Sequence, residues 1–296
     1  MTTKRLTGLY TALVTPMNKD GSVDFGALNA LVDFQLASGI DGLVPCGTTG
    51  EASTLTPIER EEIVRRIAKQ VAGKIPVVAC TGSNSTENTI EQQKRAKDAG
   101  ADLALIVTPY YNKPTPEGLY RHYHAIAEAV DLPIILYNVP SRTGCDMRPE
   151  TIARLAKIPR IVGVKEATGS LDRISVLLTA TNEAFSVLSG DDESACAFCL
   201  MGGHGLISVS SNFIPKEMRT LIWAAIQGDV VQARCQQQKL QAVFAAMFYE
   251  SNPIPVKTAL SMRGQIQPYF RLPLCEMNST RAEEMRGVLQ NAGLLD

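Results

Sequence analysis

Residues 161–169 read Ile161-Val162-Gly163-Val164-Lys165-Glu166-Ala167-Thr168-Gly169. The first four form a short apolar run without polar alternation, the pattern of a strand buried on both faces. A lysine stands at its C-terminal end, and lysine is seldom buried, so its presence needs a reason. One reason is ordinary: a salt bridge, for instance to Glu166, or an alkyl stem that snorkels to water. The other is chemical: a desolvated amine that attacks a carbonyl carbon. Taken alone, the stretch favours the ordinary reason. The rest of the chain reverses that, beginning with Pro159, which introduces the strand, and the helical patterning after it, as in one unit of a repeat.

Working outward, similar strand-like runs occur at 8–14, 40–46, 75–81, 103–108, 134–138, 185–189 and 205–209. Amphipathic helical patterning separates them. Residues 24–37 place Leu28, Leu31, Val32 and Leu36 on one face, and Gly39 closes that helix as a C-cap does. Thr56 as N-cap, Pro57 at the first helical position and Glu59 three after the cap announce the next, continued by Ile63, Ile67 and Val71. Further helices are expected over 86–99 and 115–130. The segments Gly39-Ile40-Asp41-Gly42-Leu43 and Gly100-Ala101-Asp102-Leu103-Ala104 echo one another faintly, and Pro76, Pro133 and Pro159 each stand at a strand entrance. Eight strand-then-helix units in residues 1–228 predict a (β/α)8 barrel that carries the active site. An open doubly wound sheet fits less well, and no GxGxxG follows the first strand. Residues 229–296 add helices, expected at 239–247, 255–262 and 279–290, and no strand. This C-terminal helical extension either caps the barrel or builds an oligomer contact.

Composition narrows the function classes. Of 296 residues, 45% are hydrophobic and 20% charged, ordinary for a globular protein with a sizeable core. A formal net charge of -1 provides no electrostatic footprint for nucleic acid or an anionic membrane. No apolar run reaches the length of a membrane span, and the N-terminus lacks a signal-peptide pattern, so a cytoplasmic location is expected. The seven cysteines are scattered. Cys46 and Cys80 lie in apolar strand-like runs, and Cys196 and Cys199 in a helical stretch without a second ligand pair. Neither a disulfide framework nor a metal site is expected.

In a (β/α)8 barrel the working residues project from the C-terminal ends of the strands. Those ends here are Gly47-Thr48-Thr49-Gly50-Glu51, Tyr110-Tyr111, Tyr137-Asn138 with Val139-Pro140-Ser141-Arg142-Thr143-Gly144, Lys165, Gly190-Asp191-Asp192 and Ser208-Val209-Ser210. They make a coherent set. Burial at a barrel mouth disfavours a charged amine and so favours the nucleophilic form. A phenol beside it moves protons as a carbinolamine forms and dehydrates. A glycine-flanked Thr-Thr offers backbone N–H groups and hydroxyls to a small carboxylate. An arginine fork suits a second carboxylate. Each piece has a plainer alternative: Tyr137 as a wall residue, 47–51 as a tight turn, Arg142 as a solvated loop charge. His122 and His124, two apart on a helix, do not face together and are expected at the surface. Gly202-Gly203-His204-Gly205 precedes its strand and is discounted as a phosphate loop. The joint occurrence at one rim carries the functional reading.

The segments GTTGE (47–51), Tyr110-Tyr111, YNVPSRTG (137–144) and VGVKEATG (162–169) resemble those of the dihydrodipicolinate synthases, Schiff-base lyases within the wider N-acetylneuraminate lyase family. The resemblance spans essentially the whole chain. It implies that Lys165 forms an imine with pyruvate, whose enamine adds to aspartate 4-semialdehyde on the diaminopimelate route to lysine. It implies Tyr137 as proton donor and acceptor, with Thr48 and Tyr111 completing a hydroxyl relay, Tyr111 from a neighbouring subunit. Thr49 would hold the pyruvate carboxylate, Gly190 and Ile207 would line the pocket with backbone groups, and Arg142 would bind the semialdehyde carboxylate. Arg142 also separates this reading from the alternative, a pyruvate-dependent lyase of a 2-keto-3-deoxy sugar acid or N-acetylneuraminate. The resemblance further implies no cofactor and a homotetramer built as a dimer of tight dimers. Lysine-inhibited relatives bind lysine at the tight interface. Asn84 and Tyr110 are retained there, but Pro57, Arg60 and Asn88 stand where such relatives carry basic and acidic partners, so weak or absent lysine feedback is expected.

Overall fold

In a computed structural model describing residues 5–296, eight strands form one parallel sheet. They are Gly8–Ala12 (β1), Gly42–Val44 (β2), Val78–Cys80 (β3), Leu103–Val107 (β4), Ile134–Asn138 (β5), Ile161–Glu166 (β6), Ser186–Ser189 (β7) and Gly205–Ser208 (β8). Their order is β2-β1-β8-β7-β6-β5-β4-β3. A parallel bridge from Leu43 to Val77, beside a 3.0 Å hydrogen bond from the Leu43 N–H to the Pro76 carbonyl, brings β2 round to β3. With helices between successive strands, this is the (β/α)8 barrel.

Both strand faces are buried, which is why the strands show no polar alternation. Tyr10, Val44, Leu105, Ile135, Leu188 and Ile207 pack inside the barrel. Leu9, Leu43, Ile106, Leu136, Val187 and Leu206 face the helices. β2 and β3 are shorter than the runs at 40–46 and 75–81. Cys46 takes a left-handed φ of 57°, so the chain turns into the 47–51 loop before β2 can lengthen.

β6 contains an irregularity that the sequence did not announce. Ile134 pairs with Ile161, but Ile135 pairs with Gly163, so Val162 is an extra residue in the ladder. Ile161 and Val164 both face the helices, a spacing that strict alternation forbids. The bulge re-phases the strand and turns Lys165 inward.

The helix Pro57–Val71 starts as its sequence predicts. The Glu59 N–H donates to Thr56 Oγ1 at 3.2 Å, and the Thr56 N–H donates to Glu59 Oε2 at 2.8 Å. The C-terminal helices are Val230–Ala246, Ile254–Met262 and Ser279–Asn291. The first begins well before residue 239 because Asp229 Oδ1 caps it, accepting from the Gln232 N–H at 3.0 Å. His122 corrects an expectation. It is buried on the same face of Pro116–Ala129 as Leu119, Tyr123 and Ile126. Its Nδ1 lies 2.9 Å from Thr86 Oγ1, and burial pushes its pKa down to about 4. His124 stays at the surface beside Glu128. No helix among the described residues is long and apolar enough to cross a membrane.

Candidate active site

A cavity of about 230 Å³ opens at the C-terminal rim, lined among others by Thr48, Thr49, Tyr137, Arg142, Lys165 and Gly190. Six predicted site residues from four strand ends therefore share one space. Lys165 is 6% exposed, and its Nζ lies 4.4 Å from the Tyr137 ring centroid. The two residues are direct partners in the β5–β6 ladder. That register, together with the bulge, places amine against phenol ring.

Lys165 does not pair with Glu166, its neighbour on the opposite strand face. Glu166 instead accepts from Asn138 Nδ2 at 3.2 Å, the Thr168 N–H at 3.0 Å and Arg173 Nε at 3.1 Å. Asn138 Nδ2 also donates to Asp146 at 2.9 Å, and Arg173 bridges Asp146 and the Met147 carbonyl. Because Asn138 pairs with Glu166 in the same ladder, this outward network holds the register of the inward pair. The ordinary explanation for the lysine, an ion pair with Glu166, is thereby removed.

Gly190 is required by close approach. A Cβ there would lie 2.7 Å from Lys165 Cε and 2.6 Å from Ala167 Cβ. In the 47–51 turn, the Gly50 and Glu51 N–H groups donate to the Gly47 and Thr48 carbonyls, both at 3.1 Å. The Thr48 and Thr49 N–H groups have no acceptor among the described residues, leaving two consecutive donors for an anion. Arg142 lies in a short helix, Pro140–Thr143, where a loop was expected. Thr143 Oγ1 fastens that turn, donating to the Cys145 carbonyl at 3.0 Å. Beyond Gly190, Asp192 is buried and accepts from the Ser210 N–H at 2.7 Å. Burial raises its pKa against the lowering effect of these hydrogen bonds.

Four predicted residues lie elsewhere. Ile207 belongs to the apolar filling of the barrel. Tyr111 is 90% exposed with φ 72° and lines no cavity of its own chain described here. Tyr110 borders an adjoining cavity of about 310 Å³ that shares Thr48, Tyr137 and Arg142 with the first. Asn84 serves this region through its backbone carbonyl, which accepts from Asn112 Nδ2 at 2.9 Å. Two residues at the site were missed. Asn252, lining both cavities, donates from Nδ2 to Thr49 Oγ1 at 3.0 Å. Lys257, fully buried, donates to Glu51. A lysine amid Pro255-Val256 and Ala259-Leu260 was the available signal for the second. Nothing marked the first.

Comparison with known proteins identifies the family. The pattern defining the dihydrodipicolinate synthetase family matches residues 5–292. The 4-hydroxy-tetrahydrodipicolinate synthase of Methylococcus capsulatus is 51% identical over 97% of this chain and 99% of its own. That of Pseudomonas putida is 49% identical over 98% and 99%. Among solved structures, the chloride-inhibited dihydrodipicolinate synthase of Acinetobacter baumannii complexed with pyruvate superimposes with a TM-score of 0.96. It is 49% identical, covering 98% of this chain and all of that one. The enzyme of Cyanidioschyzon merolae with lysine bound has a TM-score of 0.95 at 40% identity, over 99% and 100%. This chain belongs to the dihydrodipicolinate synthetase family.

Proposed function

We propose that the chain is a 4-hydroxy-tetrahydrodipicolinate synthase, a Schiff-base lyase that condenses pyruvate with L-aspartate 4-semialdehyde. The observation that carries the reading is the buried Lys165 amine against the Tyr137 ring, in one cavity with Thr48, Thr49 and Arg142.

The Lys165 amine adds to the pyruvate carbonyl carbon. Tyr137 delivers the proton that lets water leave, giving the imine. Loss of a methyl proton produces the enamine, whose terminal carbon attacks the aldehyde carbon of the semialdehyde. The amine of that second substrate then attacks the imine carbon, closes the ring and releases the Lys165 amine. The free Thr48 and Thr49 N–H groups receive the keto-acid carboxylate, and Arg142 receives the carboxylate of the aldehyde substrate. Gly190 leaves room for the lysine stem, and Ile207 packs in the barrel interior. Thr48 and a Tyr111 from a second copy extend the proton relay from Tyr137. That contribution makes a dimer the active unit, within a homotetramer. No metal or organic cofactor takes part in these steps, and the site of action is the cytoplasm.

Borohydride reduction in the presence of pyruvate, followed by peptide mass mapping, tests the central step. A pyruvyl adduct on Lys165 is expected. No adduct, or an adduct on another lysine, overturns the mechanism. A panel comparing aspartate semialdehyde with 2-keto-3-deoxy sugar acids and N-acetylneuraminate tests the role of Arg142.

A further inference from the structure

One buried charged pair has no part in the steps above. Glu51 ends the Gly47-Thr48-Thr49-Gly50-Glu51 loop with a left-handed φ of 55°, although it is not glycine. Its side chain is 1% exposed. Oε1 accepts from Nζ of Lys257 in the helix Ile254–Met262, and Oε2 accepts from the Arg271 N–H at 3.3 Å. Lys257 is 0% exposed. Its Nζ also donates to the Tyr269 carbonyl at 2.6 Å and lies 4.5 Å from the Phe270 ring centroid. Burial lowers its pKa, and Glu51 opposes that shift. Within the same loop, Thr49 Oγ1 is held by Asn252. Both buried side chains of the loop are thus gripped by residues between 252 and 271.

Stability alone is a poor reason for such a pair. Removing two charges from water costs much of what their attraction returns, and a left-handed non-glycine residue adds a further cost. What the pair supplies is position. Backbone N–H groups bind an anion only as well as their peptide planes are held, and Glu51 follows Thr48 and Thr49 by only a single glycine. We propose that Glu51 and Lys257 are positioning residues for the keto-acid carboxylate. Through them the C-terminal helical segment sets how well the first substrate binds. The inference rests on the reading that Thr48 and Thr49 receive that carboxylate. Neither Glu51 nor Lys257 hydrogen-bonds to the turn that carries Arg142, so the effect is expected on the first substrate.

The test uses full-length Thr49→Val, Glu51→Gln, Lys257→Met and the double variant E51Q/K257M. Steady-state kinetics are measured with each substrate varied in turn, and melting temperature is recorded alongside. In Lys257→Met, kcat/KM for pyruvate is expected to fall about tenfold through KM. Saturated kcat and kcat/KM for the semialdehyde stay within about twofold. The double variant removes both buried charges, so its melting temperature recovers towards wild type while the pyruvate KM stays raised. If the pyruvate KM recovers together with the melting temperature, the pair acts through stability alone and the inference fails. If Lys257→Met does not fold, the double variant decides by the same comparison. Thr49→Val separates the two levels. A raised pyruvate KM there with unchanged KM in the folded pair variants overturns only the positioning role. Because Thr49→Val keeps the peptide N–H, the carboxylate assignment beneath it is overturned instead if borohydride traps methyl pyruvate, which carries no carboxylate charge, on the wild-type enzyme as fast as pyruvate.

Discussion

Gly190 and Lys165 illustrate how a site is specified residue by residue. The lysine stem runs along the strand end at β7 so closely that a methyl group at 190 would stand 2.7 Å from Cε. The Tyr137 ring stands 4.4 Å from Nζ, so the stem can yield to such a methyl group only by carrying the amine away from its place against the phenol. Gly190→Ala is therefore expected to displace the amine rather than unfold the barrel. The rate of pyruvate trapping and kcat should fall by roughly 100-fold, the scale for a misplaced nucleophile. The stability loss should stay near the ~1–3 kcal/mol of an overpacked site. Trapping kinetics and urea unfolding on the same variant check both halves. The need for glycine at 190 was not legible in Gly190-Asp191-Asp192, since the atoms it must avoid belong to another strand. The pairing of a tyrosine and a lysine at one rim was legible, because both stand at the ends of apolar runs.

At the scale of elements, the helix Pro57–Val71 joins a local signal to a distant one. Its capping box lies within four residues and was readable as sequence. Glu59 is also gripped by Arg271, whose Nη1 lies 2.9 Å from Oε2. This holds its pKa down at about 2, against 4.5, the Arg271 hydrogen bond being the largest cause. A folded pKa below the unfolded one stabilises the fold above pH 4.5, and that contribution is lost as the pH falls towards 2. Wild type should thus exceed Arg271→Met in unfolding free energy at neutral pH. The gap should narrow by on the order of 1 kcal/mol across this window once solvent screening is allowed for. Urea titrations across the pH range measure it, and a gap independent of pH would refute the assignment. β6 shows the opposite situation. Its existence was readable, but the extra residue at Val162 was not, because a bulge is defined only against the partner strand.

For the whole molecule, Tyr111 is the residue without a place in its own chain. If a second copy supplies it, mixing Lys165→Ala with Tyr111→Phe subunits creates dimers with one site that carries neither lesion. Co-refolded or subunit-exchanged mixtures should then regain about a quarter of wild-type activity at equal ratios. A tyrosine acting within its own chain would restore none. Lysine is expected to inhibit weakly or not at all. Arg60 is committed to Gln92 and the Ala52 carbonyl, its charge repels an ammonium group, and Asn88 offers no carboxylate. Inhibition by submillimolar lysine in an initial-rate assay would contradict this.

The sequence by itself determined the barrel, the rim and most of the site. Strand burial, helix caps and strand-end chemistry are local properties, written at spacings of a few residues. Tertiary structure alone decided which way Lys165 faces, why residue 190 carries no side chain, and what holds the Thr48-Thr49 turn. Glu51 and Lys257 are 206 residues apart, and His122 is buried only because its helix turns that face to the core. Such facts depend on register and packing between distant segments, for which a single chain read end to end contains no period.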